Sequence, residues 1–410
     1  MKLNIYTGLI IGFMTITANA GDIKQGQTKS AICAGCHGAN GIGLSSEYPN
    51  LAGQKKGYLV KQLKDFKQGK RTDPTMAAMV LALNNQDIDN LAAYYSSLKA
   101  IPMVIKKQQT VTQKASTNEF PETTFITMKK SATLETFPQE ITWQGGENML
   151  YNAITPDAKL VLATSPSKNS VYIFNAKTGS ILAVVKVGKA PKGVKVSPDG
   201  KVAYISNQGS NNISVVDLIN YKVVNTIKTG KGPHNARFTQ DGKRAYVTLQ
   251  GGEGIGVIDT QLQKMIKIIP VAGITGPHNL DLSKDEKIAF VRDFVHHVAV
   301  LDLQTGQVKK VLMVGNGHGG IDVTPDGRYA ATAAIGDNFI SVIDTQSYAV
   351  TNIIVGNGPH GIRASKDSRW LYVTITKENQ VAVIDMQTMK VVKKISVGKF
   401  PFWIAVQGNF

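Results

Sequence analysis

Two cysteines near the start of the chain lie three positions apart and are followed at once by a histidine. The three residues are Cys33, Cys36 and His37. At this spacing two thiols can add to the vinyl groups of a heme while the adjacent imidazole binds its iron. A redox dithiol or half of a zinc site would use the same cysteines, but residues 21–100 contain no other Cys or His to complete a zinc site. The motif therefore predicts one covalently attached heme.

The six remaining histidines all lie in the second half of the chain. They are His234, His278, His296, His297, His318 and His360. Three of them, His234, His278 and His360, each end a Gly-Pro-His triplet. Neutral imidazole is the commonest metal ligand in proteins, so histidines that the fold brings together are candidates for a metal, cofactor or catalytic site. A turn motif copied by internal duplication explains the same pattern, and the sequence leaves both interpretations open.

The heme motif lies among segments with helical patterns. Asp22–Cys33 has a helical composition without proline, and Lys55–Gln68 and Asp87–Leu98 carry apolar residues at helical spacing. Three helices around a Cys-x-x-Cys-His turn resemble a class I cytochrome c, and the segment Tyr48–Gly53 extends the likeness. The resemblance implies that residues 21–100 form a small all-α cytochrome c domain, most similar to the cytochromes related to the diheme periplasmic type.

Two methionines between the second and third of these helices are candidates for the sixth ligand of the iron. They are Met76 and Met79, and either could instead pack against the heme. By the resemblance, the ligand is the first methionine of the pair, Met76. Ligation by His37 and a methionine leaves no free position on the iron, so this heme is expected to carry electrons and not to bind substrate.

The rest of the chain is built from repeats of about 42 residues. A Ser/Thr-x-Asp marker recurs at intervals of 41 to 44 residues. The markers begin at Thr155, Ser197, Thr239, Ser283, Thr324 and Ser365. Short alternating strands follow each marker, and four strands per unit of this length are typical of a propeller blade. Ala245–Thr248 and Leu371–Thr374 resemble the YVTN family of propellers, a likeness that covers Asn148–Phe410 and implies a fold but no particular function.

A seventh blade can be assembled from the two ends of the repeat array. Pro401–Val406 matches the innermost strand of a further repeat, and Thr124–Met128 and Ala132–Phe137 could supply its outer strands. Such a closure seals the ring and hides the sheet edges. The predicted fold is therefore mixed by domain, with a small all-α cytochrome c domain followed by an all-β seven-bladed propeller over residues 119–410.

Aligned on the repeat, the second-half histidines are expected on one face of this propeller. The three Gly-Pro-His triplets precede the innermost strands, and His318 lies one residue earlier in its own repeat. His296 and His297 lie at the turn between the second and third strands, which emerges on the same face because strands alternate in direction. Arg237 and Arg363 follow three residues after their histidines and could bind carboxylates of a ligand or serve packing between blades.

A cytochrome c domain before a propeller resembles the layout of the cytochrome-cd-type nitrite reductases. The resemblance implies a d-type heme held by histidine on a propeller face and a nitrogen-oxide substrate, although the propeller of that family has eight blades. Copper is a second possibility, because nitrous oxide reductases bind it in a histidine-ringed propeller. The third is a propeller that only docks another protein. We rank an electron-transfer cytochrome first and keep an oxidoreductase as the alternative.

The first twenty residues have the pattern of a cleaved secretory signal. Lys2 precedes an apolar run over Ile5–Ile16, and Ala18–Ala20 provides a small-x-small cleavage site. The run is shorter than the ~20 apolar residues of a spanning helix, so we predict a periplasmic protein that does not span the membrane. Residues 101–118 are rich in Lys, Gln and Thr, which is typical of a linker.

The charge balance bears on the kind of partner. The chain has 46 Lys and Arg against 29 Asp and Glu, a formal net charge of +17. Such a balance often accompanies nucleic-acid binding, but export and the lack of basic-aromatic clusters argue against that partner. We predict instead that the positive surface steers a periplasmic redox protein of acidic character.

Overall fold

A computed structural model describes residues 21–38, 41, 43, 48–98, 120–252 and 254–409. The chain divides into two compact units, residues 1–113 and residues 114–410. The predicted signal (residues 1–20) and linker (residues 101–118) lie outside the described residues, so both stay predictions. No helix in the described part of the chain is long and apolar enough to cross a bilayer.

The N-terminal unit is helical. Its α-helices are α1 (Ile23–Lys29), α2 (Ala34–His37), α3 (Lys56–Lys67), α4 (Pro74–Val80) and α5 (Asn85–Ser97), with a 3₁₀ turn over Ser30–Ile32. The Asp22 carboxylate accepts hydrogen bonds from the first backbone N–H groups of α1, and Asn84 and Asp87 form a capping box at the start of α5. The three predicted helices are therefore present, and α2 and α4 are additional.

A glycine allows α1 to cross α5 at close range. A Cβ atom on Gly26 would lie 2.1 Å from the backbone oxygen of Asn90 and 2.8 Å from Cβ of Tyr94. Close backbone approach of this kind requires glycine. The crossing covers the apolar core of the unit, where Ile88 and Leu91 of α5 are at most 1% exposed. The helix-helix contact thus holds the frame in which the heme motif lies.

Seven four-stranded antiparallel sheets form the second unit. In chain order the strands are β1 (Thr124–Met128), β2 (Thr133–Phe137), β3 (Thr142–Gln144), β4 (Asn152–Ile154), β5 (Leu160–Ser165), β6 (Ser170–Asn175), β7 (Ile181–Lys186), β8 (Pro191–Val196), β9 (Val202–Asn207), β10 (Asn212–Asp217), β11 (Lys222–Lys228), β12 (Pro233–Phe238), β13 (Arg244–Leu249), β14 (Gly254–Asp259), β15 (Lys264–Ile269), β16 (Asn279–Leu282), β17 (Ile288–Arg292), β18 (His297–Asp302), β19 (Val308–Met313), β20 (Ile321–Val323), β21 (Tyr329–Thr332), β22 (Phe339–Asp344), β23 (Val350–Ile354), β24 (Pro359–Ala364), β25 (Trp370–Ile375), β26 (Gln380–Asp385), β27 (Lys390–Ser396) and β28 (Pro401–Val406). Short 3₁₀ turns follow β5 and β9. The predicted seven-bladed fold is confirmed.

The two ends of the array complete one blade, as predicted. Its sheet has the order β28-β1-β2-β3. In the antiparallel pairing of β1 with β28, Phe125 lies opposite Ala405 and Ile126 opposite Ile404. Innermost strands of successive blades then contact one another around a closed circle, from β28 through β4, β8, β12, β16, β20 and β24 back to β28. The outermost strand of the closing blade, β3, was not predicted.

The repeat marker builds turns. In blade after blade the Ser or Thr hydroxyl donates to the Asp carboxylate two residues on, as Thr155 does to Asp157 at 2.7 Å and Ser197 to Asp199 at 2.6 Å. The carboxylate in turn accepts a backbone N–H, for example that of Lys201. These bonds are those of ST and Asx turns. The marker carboxylates therefore form turns that serve the fold.

Candidate functional site

The heme motif occupies the short helix α2 and the residue before it. Cys33 and Cys36 are half-buried free thiols, and His37 is buried. Nδ1 of His37 lies 2.8 Å from the carbonyl oxygen of Pro49. A carbonyl can only accept, so Nδ1 carries the proton and Nε2 keeps its lone pair. Metal-binding histidines usually donate their other ring N–H to such an acceptor, and the bond to Pro49 orients the His37 imidazole in the same way.

The surroundings of these residues fit a heme. Partly exposed apolar side chains lie against the buried core of the unit, and Cys33 is one of them. The others are Leu51, Val60, Leu63, Met76 and Leu98. The pKa of the Cys33 thiol is raised, and burial is the main cause. Two thiols and one imidazole beside an apolar surface are the donor set that a covalent heme requires.

The two candidate axial methionines differ in burial. Both lie on α4, a helix that starts because Asp73 caps it and Pro74 occupies its first turn. Met76 is half-buried and packs against the core of the unit, whereas Met79 is 46% exposed. The structure thus separates the pair by environment, and the assignment of the ligand stays a prediction.

Four of the second-half histidines meet at the centre of the propeller. We call His234, His278, His318 and His360 the histidine ring. Ring centroids of His234 and His278 are 3.9 Å apart, those of His278 and His318 are 4.9 Å apart, and those of His318 and His360 are 5.1 Å apart. The expected convergence of imidazoles from separate blades is therefore seen. It includes His318, although its place in the repeat is shifted by one residue.

Strand bulges help to aim these side chains. The pairing of β12 with β13 shifts register between Pro233 and Ala236, so that His234 and Asn235 together face one residue, Thr248. The same irregularity occurs in β24 between Pro359 and Ile362. Bulges bend a strand and re-aim its side chains, often next to functional sites. In β12 the Thr248 hydroxyl satisfies the backbone N–H of Asn235 at 3.0 Å.

Hydrogen bonds from Nδ1 fix the tautomer of two imidazoles in the histidine ring. Nδ1 of His234 donates to the carbonyl of His278 at 2.9 Å, and Nδ1 of His360 donates to the carbonyl of Phe402 at 2.8 Å. Burial lowers the pKa of His234 to about 3 and that of His318 to about 4. It also lowers the pKa values of His278 and His360 well below the ordinary range. The four imidazoles are thus neutral at pH 7 and retain lone pairs.

Aromatic and basic neighbours of the ring were missed by sequence reasoning. The Tyr151 hydroxyl lies 3.3 Å from Nε2 of His234, and Phe294 stacks on His318 with ring centroids 4.7 Å apart. Arg292 is fully buried and donates to the carbonyls of Gly315 and Gly317. Arg292 stands nine residues after its marker, where other repeats have Thr164, Ser206, Thr248 and Thr374, and this difference is the signal that could have found it.

His296 and His297 occupy a separate place in the same repeat. Their rings lie against each other, with centroids 4.1 Å apart, and Nδ1 of His297 is 3.1 Å from the Asp293 carboxylate. Within the described residues, the group of imidazoles that could share one ion consists of His278, His318 and His360. The two adjacent histidines are therefore neighbours of the ring and not members of it.

Arg237 and Arg363 form buried ion pairs between blades. Arg237 donates to Asp281 at 2.9 Å, and Arg363 donates to Asp322 at 2.7 Å. Lys195 is buried beside them, and burial lowers its pKa well below the usual range. A buried charge is costly unless paired, so these contacts give both arginines a structural role. The packing alternative accounts for them without a bound ligand.

Comparison with known proteins agrees with this architecture. A cytochrome c family model matches residues 23–99, and a YNCE-like β-propeller model matches residues 63–285, 184–327 and 283–407. Cytochrome c-554(548) of Halomonas halodenitrificans is 42% identical over 81 residues, which are 19% of this chain and 98% of that protein. Cytochrome c4 of Pseudomonas aeruginosa is 42% identical over 98 residues, or 24% of this chain and 49% of the relative. The chain thus spans about half the length of that relative.

A solved structure shares a large part of this fold. The Kuenenia stuttgartiensis hydrazine synthase structure aligns with a TM-score of 0.57 at 21% identity, over 63% of this chain and 90% of that one. An identity this low shows a shared fold and nothing about chemistry. Taken with the matches above, the seven blades and the Cys-x-x-Cys-His unit show that the chain belongs to the YNCE-like β-propeller family and carries a cytochrome c domain at its N-terminal side.

Proposed function

We propose that this protein is a periplasmic electron-transfer cytochrome with one covalent heme c, and that its propeller serves as the docking or ligand-binding domain. The observation that carries the proposal is the His37 imidazole, whose Nδ1 bonds to Pro49 while Nε2 stays available beside two free thiols. The signal-like first twenty residues support the compartment. Heme staining of the periplasmic fraction tests both the cofactor and the location.

Each residue of the motif has a defined task in this proposal. Cys33 and Cys36 would hold the macrocycle through thioether bonds, and His37 and Met76 would bind its iron. The bound group supplies a one-electron iron couple, whose potential a histidine-methionine pair raises. Met76 packs against the buried apolar core of the unit. Because the protein would supply both of these iron ligands, the unit would carry electrons without binding substrate at the iron.

Replacement of Met76 tests the ligand assignment. We expect Met76→Ala to abolish the weak near-infrared sulfur-to-iron band of the oxidised protein and to lower the reduction potential, because a thioether ligand stabilises the ferrous state. Absorption spectroscopy and a redox titration of the full chain measure both effects.

Met79→Ala is the matched control, since Met79 lies three residues away on the same helix and is more exposed than Met76. The control is expected to keep both the band and the potential. Loss of the band in Met79→Ala, with retention in Met76→Ala, would reverse the assignment.

The positive charge of the chain predicts how its partner is recruited. Lysines are frequent on the outermost strands, where β27 alone carries Lys390, Lys393 and Lys394. Opposite charges steer association at low ionic strength, and 0.1 M salt largely screens the attraction between exposed charges more than about 10 Å apart. We expect electron transfer to a small acidic redox protein to slow at least tenfold between 10 and about 200 mM salt. Stopped-flow rates that are independent of salt, or that favour a basic partner of matched potential, would contradict this.

A further inference from the structure

Two buried imidazoles of the histidine ring have nitrogens that the described residues leave without a hydrogen-bond partner. Neither ring nitrogen of His278 has one, and Nε2 of His360 has none. The two side chains are 2% and 0% exposed. An unpaired buried polar atom costs about 1–3 kcal/mol, and such atoms are rare in native proteins unless a water, an ion or a ligand meets them. Several of them at one point therefore indicate a binding site.

The geometry of these nitrogens suits a single ion. One ring nitrogen each from His278, His318 and His360 can be chosen so that all three lie within 4.8 Å of one another. Three nitrogens about 2.1 Å from a tetrahedral ion lie about 3.4 Å apart, so modest side-chain rotations close the set. The donation from Nδ1 of His360 to the Phe402 carbonyl already selects the tautomer that presents the Nε2 lone pair.

We propose that His278, His318 and His360 bind one copper ion through their ring nitrogens. His234 stands beside the set, held by the Tyr151 hydroxyl and the carbonyl of His278. This site goes beyond the electron-transfer function proposed above and does not depend on it.

The chemistry of the donors selects a late first-row transition metal. All three members of the group are imidazoles. Calcium and magnesium prefer oxygen ligands, whereas imidazole suits zinc, copper, iron and nickel. Among divalent ions at a given nitrogen site, affinity is highest for copper in the Irving–Williams order. Copper is therefore expected to displace zinc at equal concentrations.

Metal titration of the full-length holoprotein tests the proposal. After treatment with a chelator, the protein is mixed with copper sulfate or zinc sulfate, passed through a desalting column and analysed by elemental mass spectrometry. We expect one copper per chain in addition to the heme iron, with nitrogen hyperfine structure in the electron paramagnetic resonance of Cu(II). Binding of zinc in preference to copper would overturn the assignment of the ion.

Histidine variants identify the ligands. His278→Ala/His360→Ala is expected to lose stoichiometric copper, while His296→Ala/His297→Ala, from the neighbouring turn, keeps it. His318→Ala is a second probe that keeps the buried core intact, because His318 is only partly buried, and it is expected to weaken binding at least tenfold. Equal copper content in all variants would overturn the proposal. The heme absorption spectrum, which these changes leave unaltered, reports separately on the electron-transfer function.

Discussion

A chain that ends at Gly398 is expected to lose the cooperative unfolding of the propeller. The deletion removes β28, the innermost strand of the closing blade, and leaves β1 with an unpaired edge. It also removes Phe402, Trp403 and Ile404, which are almost fully buried. Each large apolar side chain contributes about 1.5–3 kcal/mol by burial, and a whole domain is stable by only about 5–15 kcal/mol. Urea unfolding followed by far-ultraviolet circular dichroism measures the loss.

A shorter deletion provides the matched control. A chain that ends at Gln407 keeps β28 and loses only the last turn, in which the Asn409 amide donates to Asp322 and to the Ala364 carbonyl at 2.9 Å each. We expect it to unfold cooperatively, with a free energy of unfolding lower by about 1–3 kcal/mol because a buried carboxylate loses a partner. If the chain ending at Gly398 unfolds at the same urea concentration as the full chain, the closure does not stabilise the ring.

Gly26→Val is expected to disrupt the N-terminal unit. The new side chain begins 2.1 Å from the Asn90 carbonyl oxygen on the facing helix, so α1 and α5 must move apart. Overpacking of a well-packed contact costs about 1–3 kcal/mol when only side chains respond, and more when backbone blocks the space. Because a small domain is only marginally stable, we expect loss of the folded unit and of heme incorporation. Heme staining and absorption at the Soret band measure this.

Gly57→Ala serves as its control on α3. A Cβ atom at Gly57 meets nothing within 4 Å, and alanine favours a helix over glycine by about 1 kcal/mol. The variant is expected to incorporate heme normally and to gain slightly in stability. Normal heme content in Gly26→Val would show that the crossing is not required.

The repeat pattern was sufficient to predict the architecture, because six of the seven blades carry the same turn chemistry. The marker hydroxyls and carboxylates place a turn at the same point of these six blades, and Pro401–Val406 could be matched to an innermost strand by comparison with them. The strand β3 was missed because Thr142–Gln144 is only three residues long and has no clear alternation. Helix α4 was missed for a similar reason, since its seven residues depend on the Asp73 cap more than on any apolar period.

The two candidate sites also differ in how far the sequence could predict them. The heme motif is local in sequence, so spacing alone could identify Cys33, Cys36 and His37. The histidine ring depends on contacts between residues about forty positions apart, and repeat alignment predicted their common face but not their partners. Alignment placed His318 one residue earlier in its repeat than the histidines of the Gly-Pro-His set. In the structure its nitrogen joins those of His278 and His360, while His234 is engaged by Tyr151. The strand bulges and the Tyr151 hydroxyl determine which histidine nitrogens come together, and the repeat pattern predicts neither of them.

The shared blade also determines the order in which the molecule can assemble. Synthesis runs from the N-terminus, so the segment with Cys33, Cys36 and His37 is complete long before Pro401–Val406 exists. Strands β1 to β3 must wait for the last residues of the chain before their sheet gains its innermost strand. Contacts between such distant residues form slowly, because a large loop has to close first. The cytochrome domain can therefore receive its heme while the propeller is still an open arc.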